Sequence, residues 1–233
     1  MRKKILFLAG MMACCSLAGA QEISKTWVAD KGNGTYQNPV LHADYSDPDV
    51  CAAGDDFYMT ASSFNCIPGI PILHSNDLVN WSLVNCALPI QEPEEFFDKA
   101  QHGKGVWAPA IRFHNGEFYI YWGDPDYGIY MIKAKDPKGR WSKPVLVKAG
   151  KGMIDPTPLW DEDGKVYLVH AYAGSRSGVN SIVVICELNA EGTEVISDPV
   201  MVFDGNDGKN HTVEGPSFTN ATDTTIFLLR QVE

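Results

Sequence analysis

Short apolar runs separated by turn-forming residues are the dominant pattern of the chain beyond residue 37. Aromatic and β-branched residues fill the runs, and Gly, Pro, Asn and Asp lie between them, which is typical of short antiparallel strands. We find no apolar stripe at helical spacing that extends beyond about three turns. The pattern therefore predicts an all-β fold.

One unit of this pattern recurs along the chain. Each copy begins with a proline that follows a carboxylate or a small residue, continues as an apolar run, and turns into an aromatic-rich strand. The prolines are Pro48, Pro109, Pro156 and Pro216, with spacings of 61, 47 and 60 residues. Such a period suits a four-stranded sheet with its connections and is typical of β-propeller blades. If the innermost strand of each blade carries the proline, the residues beside the prolines converge on the central axis.

Three acidic residues stand beside these prolines. Asp47 and Asp155 directly precede a proline, and Glu214 lies two residues before one. Either aspartate taken alone is explained by an ordinary turn-initiating Asp-Pro pair. As an ordered set on converging strands, the three predict one active site. Asp44 and Asp49 compete with Asp47, and the residues alone do not decide between them.

Four segments resemble successive blade motifs of glycoside hydrolase family 43. They are Tyr45-Ser46-Asp47-Pro48-Asp49-Val50, Trp107-Ala108-Pro109-Ala110-Ile111-Arg112, Ile154-Asp155-Pro156-Thr157-Pro158-Leu159 and Val213-Glu214-Gly215-Pro216-Ser217. The resemblance runs from about Gln37 to Phe218. It implies a five-bladed β-propeller of inverting enzymes that act mainly on β-xylosides, α-L-arabinofuranosides and arabinans. The chain would cover roughly the first three blades and the start of the fourth.

The resemblance also implies a role for each carboxylate. The family pattern, in which a carboxylate directly precedes the proline, selects Asp47 as the general base. Glu214 would be the general acid, and Asp155 would tune and orient Glu214. Inversion needs a base for the attacking water and a protonated acid for the leaving oxygen, far enough apart to admit that water. A retaining five-bladed fructosidase would instead show an early Trp-Met-Asn-Asp-Pro type motif, which we do not find.

Substrate and metal sites are less clearly marked. Phe64 and Trp107 are candidates for stacking on a sugar ring, although packing between blades explains them equally well. The six histidines show no paired metal spacing. Asp161-Glu162-Asp163-Gly164 is explained by a hairpin turn rather than a calcium loop. We therefore expect no metal site and no required cofactor, and the sequence does not support a structural cation in the central cavity.

Residues 1–20 have the order of a signal peptide. Basic residues at 2–4 precede an apolar run at 5–17 and a small-residue cleavage pattern. The apolar run is too short for a membrane-spanning helix. A lipoprotein signal at Cys14 or Cys15 is less favoured because the usual leucine before the cysteine is missing. We expect a periplasmic or secreted protein.

Charge narrows the class of partner. Without the three basic residues of the signal, the formal net charge falls from −10 to −13. Nucleic acid binding requires clustered Lys and Arg, so we do not expect nucleic acid as a partner. The resemblance to family 43 implies an oligosaccharide or polysaccharide as the partner. Cys51, Cys66, Cys86 and Cys186 remain in the mature chain, and disulfides and buried free thiols are both compatible with the sequence.

The expected domain organisation is a signal peptide at 1–20, a lead-in at 21–36 and an incomplete propeller at 37–233. Residues 219–233 depart from the repeat, and with suitable synonymous codons a neighbouring reading frame yields the missing Asn-Gly turn and aromatic strand. We hypothesise that 219–233 is an out-of-frame tail, which the gene sequence would test. The sequence thus favours an inverting glycosidase, with a non-catalytic sugar-binding propeller or an inactive truncated remnant as the alternative.

Overall fold

A computed structural model of the chain describes residues 26–206, 212–221 and 224–231. The predicted signal peptide lies outside these residues. The predicted out-of-frame tail lies partly inside them, as 219–221 and 224–231. The described residues contain fourteen strands and two four-residue helices. Neither helix has the length and apolar character needed to cross a membrane.

The strands are β1 (Asp49–Ala53), β2 (Asp56–Thr60), β3 (Gly69–Ser75), β4 (Ser82–Leu88), β5 (Trp107–His114), β6 (Glu117–Asp124), β7 (Gly128–Ala134), β8 (Val145–Ala149), β9 (Met153–Trp160), β10 (Val166–Tyr172), β11 (Ile182–Leu188), β12 (Val200–Asp204), β13 (Val213–Ala221) and β14 (Thr224–Gln231). The helices are α1 (Glu94–Phe97) and α2 (Gly174–Ser177).

These strands form consecutive antiparallel sheets. β1–β4, β5–β8 and β9–β12 each form a four-stranded sheet in chain order, and β13 pairs with β14. The prediction of an all-β chain of four-stranded units is confirmed. Whether 219–233 is out of frame stays a prediction for the gene sequence, and the described part of that segment lies in the β13–β14 hairpin.

Left-handed turn residues set the first hairpin of each four-stranded sheet. Gly54 (φ 66°), Gly116 (φ 78°) and Gly164 (φ 83°) occupy the turns, and glycine adopts this conformation without a Cβ clash. In the second hairpin of the middle sheet, Trp141 and Ser142 precede the regular return strand. Ser142 bonds to Lys133 through both its N–H and its hydroxyl, and the regular strand β8 begins only at Val145.

Hydrophobic clusters fill the space between neighbouring sheets. Alternate residues of β6 face opposite sides, as expected for a strand buried on both faces. Ile120 and Trp122 pack toward the first sheet, whereas Tyr119 and Tyr121 pack toward the third. A third cluster joins the third sheet to Val213 and Phe218 of β13. The sheets are therefore stacked face to face, like blades.

The four described cysteines are free thiols, which resolves the alternative that the sequence left open. Cys51 and Cys186 are buried. Burial raises the pKa of the Cys51 thiol to about 12. These two cysteines therefore act as small apolar residues in the core.

The first strands of successive sheets lie side by side. β1 contacts β5, β5 contacts β9, and β9 contacts β13. Each of these strands carries or directly follows one of the four repeat prolines. The prediction that the proline units converge is thus met by the arrangement of the strands.

Candidate active site

A cavity of about 860 Å³ opens where these four inner strands meet. Its wall includes all five residues that the sequence singled out, namely Asp47, Phe64, Trp107, Asp155 and Glu214. Further polar side chains complete it, among them Asp49, Thr157, Ser175 and Asn180. The structure therefore brings the predicted residues together, and their individual roles stay predictions.

A left-handed residue precedes the proline on every inner strand. The φ angles are 50° at Asp47, 32° at Ala108, 54° at Asp155 and 61° at Gly215. For a residue other than glycine this conformation costs on the order of 1–3 kcal/mol, and the residue before proline normally prefers extended backbone. Strained backbone of this kind is common at active and ligand-binding sites.

The strand ladders of β5, β9 and β13 are interrupted at the same places. On β5 the register shifts between Trp107 and Ala110, and on β13 it shifts between Glu214 and Ser217. A bulge of this kind bends the strand and redirects its side chains. On β9 the left-handed residue before the proline is the carboxylate Asp155 itself. On β13 this position is Gly215, and the carboxylate, Glu214, comes one residue before it. The local geometry thus explains why the fourth motif differs from the Asp-Pro pattern.

Asp47 is held through one of its two carboxylate oxygens. The Ser62 hydroxyl donates to Oδ2 at 2.7 Å, and the Ser46 hydroxyl donates to the same atom at 3.0 Å. Within the described residues Oδ1 accepts no hydrogen bond. One oxygen is therefore fixed by the protein.

Asp49 and Asp44, which competed with Asp47 on sequence, have different surroundings. Asp49 Oδ2 accepts the backbone N–H of Ile111 at 2.7 Å and pairs with the Arg112 guanidinium, so it joins β1 to β5. Asp44 is exposed and does not line the cavity. The geometry thus favours Asp47 as the candidate base.

Asp155 acts on the backbone beside Glu214. Its Oδ2 accepts the N–H of Gly215 at 2.7 Å. Two residues along β9, the Thr157 hydroxyl donates to the carbonyl oxygen of Pro216 at 2.8 Å. β9 therefore holds the Glu214–Pro216 segment at two points, which agrees with the predicted orienting role of Asp155.

The two predicted aromatic residues form one wall of the cavity. The rings of Phe64 and Trp107 meet edge to face, with centroids 6.1 Å apart. The Trp107 indole N–H donates to the carbonyl oxygen of Gly103 at 2.9 Å, and the Arg176 guanidinium lies 6.0 Å from its ring. Trp107 also packs against the cluster between the third sheet and β13. Both alternatives for Trp107, sugar contact and packing, are therefore compatible with its position.

Three positioning contacts were missed by sequence reasoning. Ser46 directly precedes Asp47, so its contact was within reach of the motif. Ser62 lies fifteen residues after Asp47 and carries no local signal. Thr157 follows the Asp155-Pro156 pair, but its partner is 59 residues away.

No cluster of three or more metal-ligating side chains occurs in the described ranges. The segment Asp161–Gly164 forms the hairpin turn between β9 and β10, closed by a hydrogen bond from the Gly164 N–H to the Asp161 carbonyl oxygen.

Face-packed antiparallel sheets around a carboxylate-lined cavity define an all-β, propeller-like protein. The family model of glycosyl hydrolases family 43 matches residues 36–230, and the chain belongs to this family.

Characterised relatives share the same region. A β-xylosidase of Formosa agariphila is 34% identical over 200 residues, which cover 80% of this chain and 34% of that protein. A non-reducing end α-L-arabinofuranosidase of Bacteroides ovatus is 38% identical over 139 residues, covering 58% of this chain and 26% of that protein. The chain thus spans about a third or less of the length of these relatives.

Solved structures show the same fold. The family 43 protein BlXynB of Bacillus licheniformis is 31% identical with a TM-score of 0.69, over 83% of this chain and 38% of that one. A family 43 protein retrieved from a capybara gut metagenome is also 31% identical, with a TM-score of 0.68 over 80% of this chain and 37% of that one. The arrangement of the described sheets is therefore shared with known members of the family.

Proposed function

We propose that this chain carries the active site of an exported, inverting glycoside hydrolase that acts on xylosides or arabinofuranosides of plant polysaccharides such as xylan, arabinoxylan and arabinan. The observation that carries the proposal is the meeting of Asp47, Asp155 and Glu214 at one cavity in a family 43 chain. The relatives support the substrate class, since one is named a β-xylosidase and another an α-L-arabinofuranosidase.

The proposed reaction is a single displacement. A water on Asp47 Oδ1 loses a proton to the carboxylate as its oxygen bonds to the anomeric carbon. Glu214 donates its proton to the glycosidic oxygen as the bond to the leaving group breaks. The configuration at the anomeric carbon inverts, and the two carboxyl groups exchange protonation states.

Asp155 and the aromatic wall have supporting roles in this proposal. Asp155 fixes the peptide next to Glu214 through the Gly215 N–H, so that the acid keeps its direction toward the cavity. Phe64 and Trp107 present apolar surface to a sugar ring, which favours binding from water. Sugar recognition and acid–base chemistry would thus share one cavity.

Export and blade number are part of the same proposal. Export rests on the signal pattern of residues 1–20. The five-bladed ring rests on the family resemblance, with the described four-stranded sheets as its first three blades and β13–β14 as the start of the fourth. Cell fractionation with N-terminal sequencing of the mature protein tests export. A mature chain that still begins at Met1 in the cytoplasm would refute it.

Hydrolysis of nitrophenyl β-D-xyloside and nitrophenyl α-L-arabinofuranoside tests the activity. We expect turnover by the parent chain and a loss of about 100-fold or more in kcat for Asp47→Asn and Glu214→Ala, because each removes a general acid or base. A frame-corrected version of the chain is assayed in parallel. The enzymatic function is refuted if both versions fold and neither of them hydrolyses the two substrates. Binding of xylo-oligosaccharides would then test the sugar-binding alternative.

A further inference from the structure

We propose that Ser62 is a positioning residue for Asp47, which it holds so that Oδ1 is presented to the attacking water. The catalytic meaning of this inference rests on the proposed function, whereas the positioning itself does not. No motif of the sequence marks Ser62, and it reaches the site from the connection between β2 and β3 of the first sheet.

The hydrogen bonds of Ser62 have a fixed direction. The ionised carboxylate of Asp47 can only accept, so the single proton of the Ser62 hydroxyl points to Asp47 Oδ2, at 2.7 Å. The backbone N–H of Ala108 can only donate, and it bonds to the Ser62 oxygen at 2.9 Å. Ser62 therefore links Asp47 to Ala108, the left-handed residues of the first two inner strands.

The backbone around Ser62 is itself held on both sides. The Ser62 N–H donates to the carbonyl oxygen of Ser46 at 2.9 Å. The next residue, Ser63, pairs in both directions with Val106, at 3.1 Å and 3.2 Å. The Ser62 hydroxyl is thus fixed relative to both neighbouring strands, and it fixes the carboxylate in turn.

The two hydroxyl donors of Asp47 are not equivalent. Ser46 is adjacent in sequence, and its 3.0 Å bond moves with the Asp47 backbone. Ser62 belongs to a different segment, so its shorter bond ties the carboxylate to the second sheet. Phe64 lines the cavity two residues after Ser62, so one short segment sets both the base and part of the sugar-facing wall.

Kinetics of Ser62→Ala test the inference. We expect kcat to fall about 10- to 100-fold with KM within about twofold, since a hydrogen bond to a charged group is lost while the substrate contacts remain. Ser62→Thr restores the hydroxyl and should recover most of kcat. Ser63→Ala is the matched control, because its hydroxyl accepts the Ile70 N–H and does not touch Asp47, and kcat per folded molecule should be retained.

A double mutant separates positioning from a general structural effect. In an Asp47→Ala background, Ser62→Ala should cause no further loss of the residual rate, because its partner is gone. A further 10-fold loss of the residual rate when Ser62→Ala is added to Asp47→Ala would overturn the inference. So would a kcat of Ser62→Ala alone that stays within twofold of the parent. If Ser62→Ala does not fold, Ser62→Cys takes its place. The thiol has a volume close to that of the hydroxyl but is a weak hydrogen-bond donor, and the same criteria apply.

A crystal structure of the Ser62 variant gives a readout independent of turnover. We expect the Asp47 carboxylate to rotate away or to occupy two conformers in Ser62→Ala, and to stay in place in Ser63→Ala. An unmoved carboxylate in Ser62→Ala overturns the inference. If the parent chain shows no glycosidase activity but the carboxylate is released, the proposed function fails and the positioning role of Ser62 stands.

Discussion

Asp124, at the end of β6, should make the stability of the fold depend on pH. Its side chain is buried, with 1% exposure. Oδ1 accepts the backbone N–H groups of Asp126 at 2.9 Å and Tyr127 at 3.1 Å, and Oδ2 accepts the Gln91 side-chain amide at 3.2 Å. Burial outweighs these hydrogen bonds and raises the pKa of Asp124 from 3.8 to about 6.

The sign of the effect follows from this raised pKa. Below about pH 4 both folded and unfolded chains carry the proton, and the contribution of Asp124 to stability is fully present. As pH rises toward 6 the unfolded chain loses its proton first, so the free energy of unfolding falls. Above pH 6 the full cost of the buried charge applies. A pKa difference of about 2 corresponds to about 3 kcal/mol.

Asp124→Asn removes the charge and keeps the hydrogen bonds. The amide oxygen accepts the same two backbone N–H groups. The amide nitrogen faces Gln91, whose Oε1 is buried and lacks a partner in the described residues. A half-turn of the Gln91 amide satisfies both side chains. We therefore expect the variant to be more stable than the parent by up to about 3 kcal/mol near pH 7.5 and equal to it near pH 4.

Urea unfolding followed by tryptophan fluorescence measures this difference between about pH 4 and 8. Other titrating groups contribute to both proteins and cancel in the comparison. A difference that is constant across this range, or a variant less stable than the parent near pH 7.5, would refute the reasoning.

Three further outcomes are expected. Asp49→Asn loses the ion pair with Arg112 and should lower the free energy of unfolding by about 2 kcal/mol, and an unchanged urea midpoint would contradict this. Gly105→Ala places a Cβ 2.4 Å from the carbonyl oxygen of Ser63, so the backbone must shift and the melting temperature should fall by several degrees, a cost of about 1–3 kcal/mol. Burial lowers the pKa of His170 to about 4, so the stability it contributes above about pH 6.5 is lost as pH falls toward 4. His170→Phe should lose less stability between about pH 7 and 4.5 than the parent, and an equal loss would count against this.

Much of the fold was predictable because its signals are local. A proline after an acidic or small residue, followed by an apolar run and a turn, fixes the start of each inner strand within a few residues of sequence. Repetition of that unit then placed Asp47, Asp155 and Glu214 on neighbouring strands. The structure adds that a left-handed residue precedes each of these prolines, that the ladder is bulged at Pro156 and Pro216, and that the three side chains line one cavity.

Other features depend on contacts between distant segments. Asp47 and Asp49 flank the same proline and both line the cavity. Only the packing of β1 against β5 brings Asp49 to the Arg112 guanidinium, whereas Asp47 pairs with the Ser46 and Ser62 hydroxyls. The contact of Ser62 with Asp47 depends on how the connection between β2 and β3 is held against Ser46 and Val106. Such contacts leave no periodic trace in the sequence, so sequence reasoning could not find them.

The most direct test of the proposed mechanism is the configuration of the first sugar released. Proton NMR of nitrophenyl β-D-xyloside hydrolysis by the chain, recorded before mutarotation, shows which anomer forms. Inversion between Asp47 and Glu214 predicts α-xylose as the first product, with product formation by Glu214→Ala slowed by about 100-fold or more under the same conditions. β-Xylose as the first product, or equal turnover by Glu214→Ala, would contradict the account.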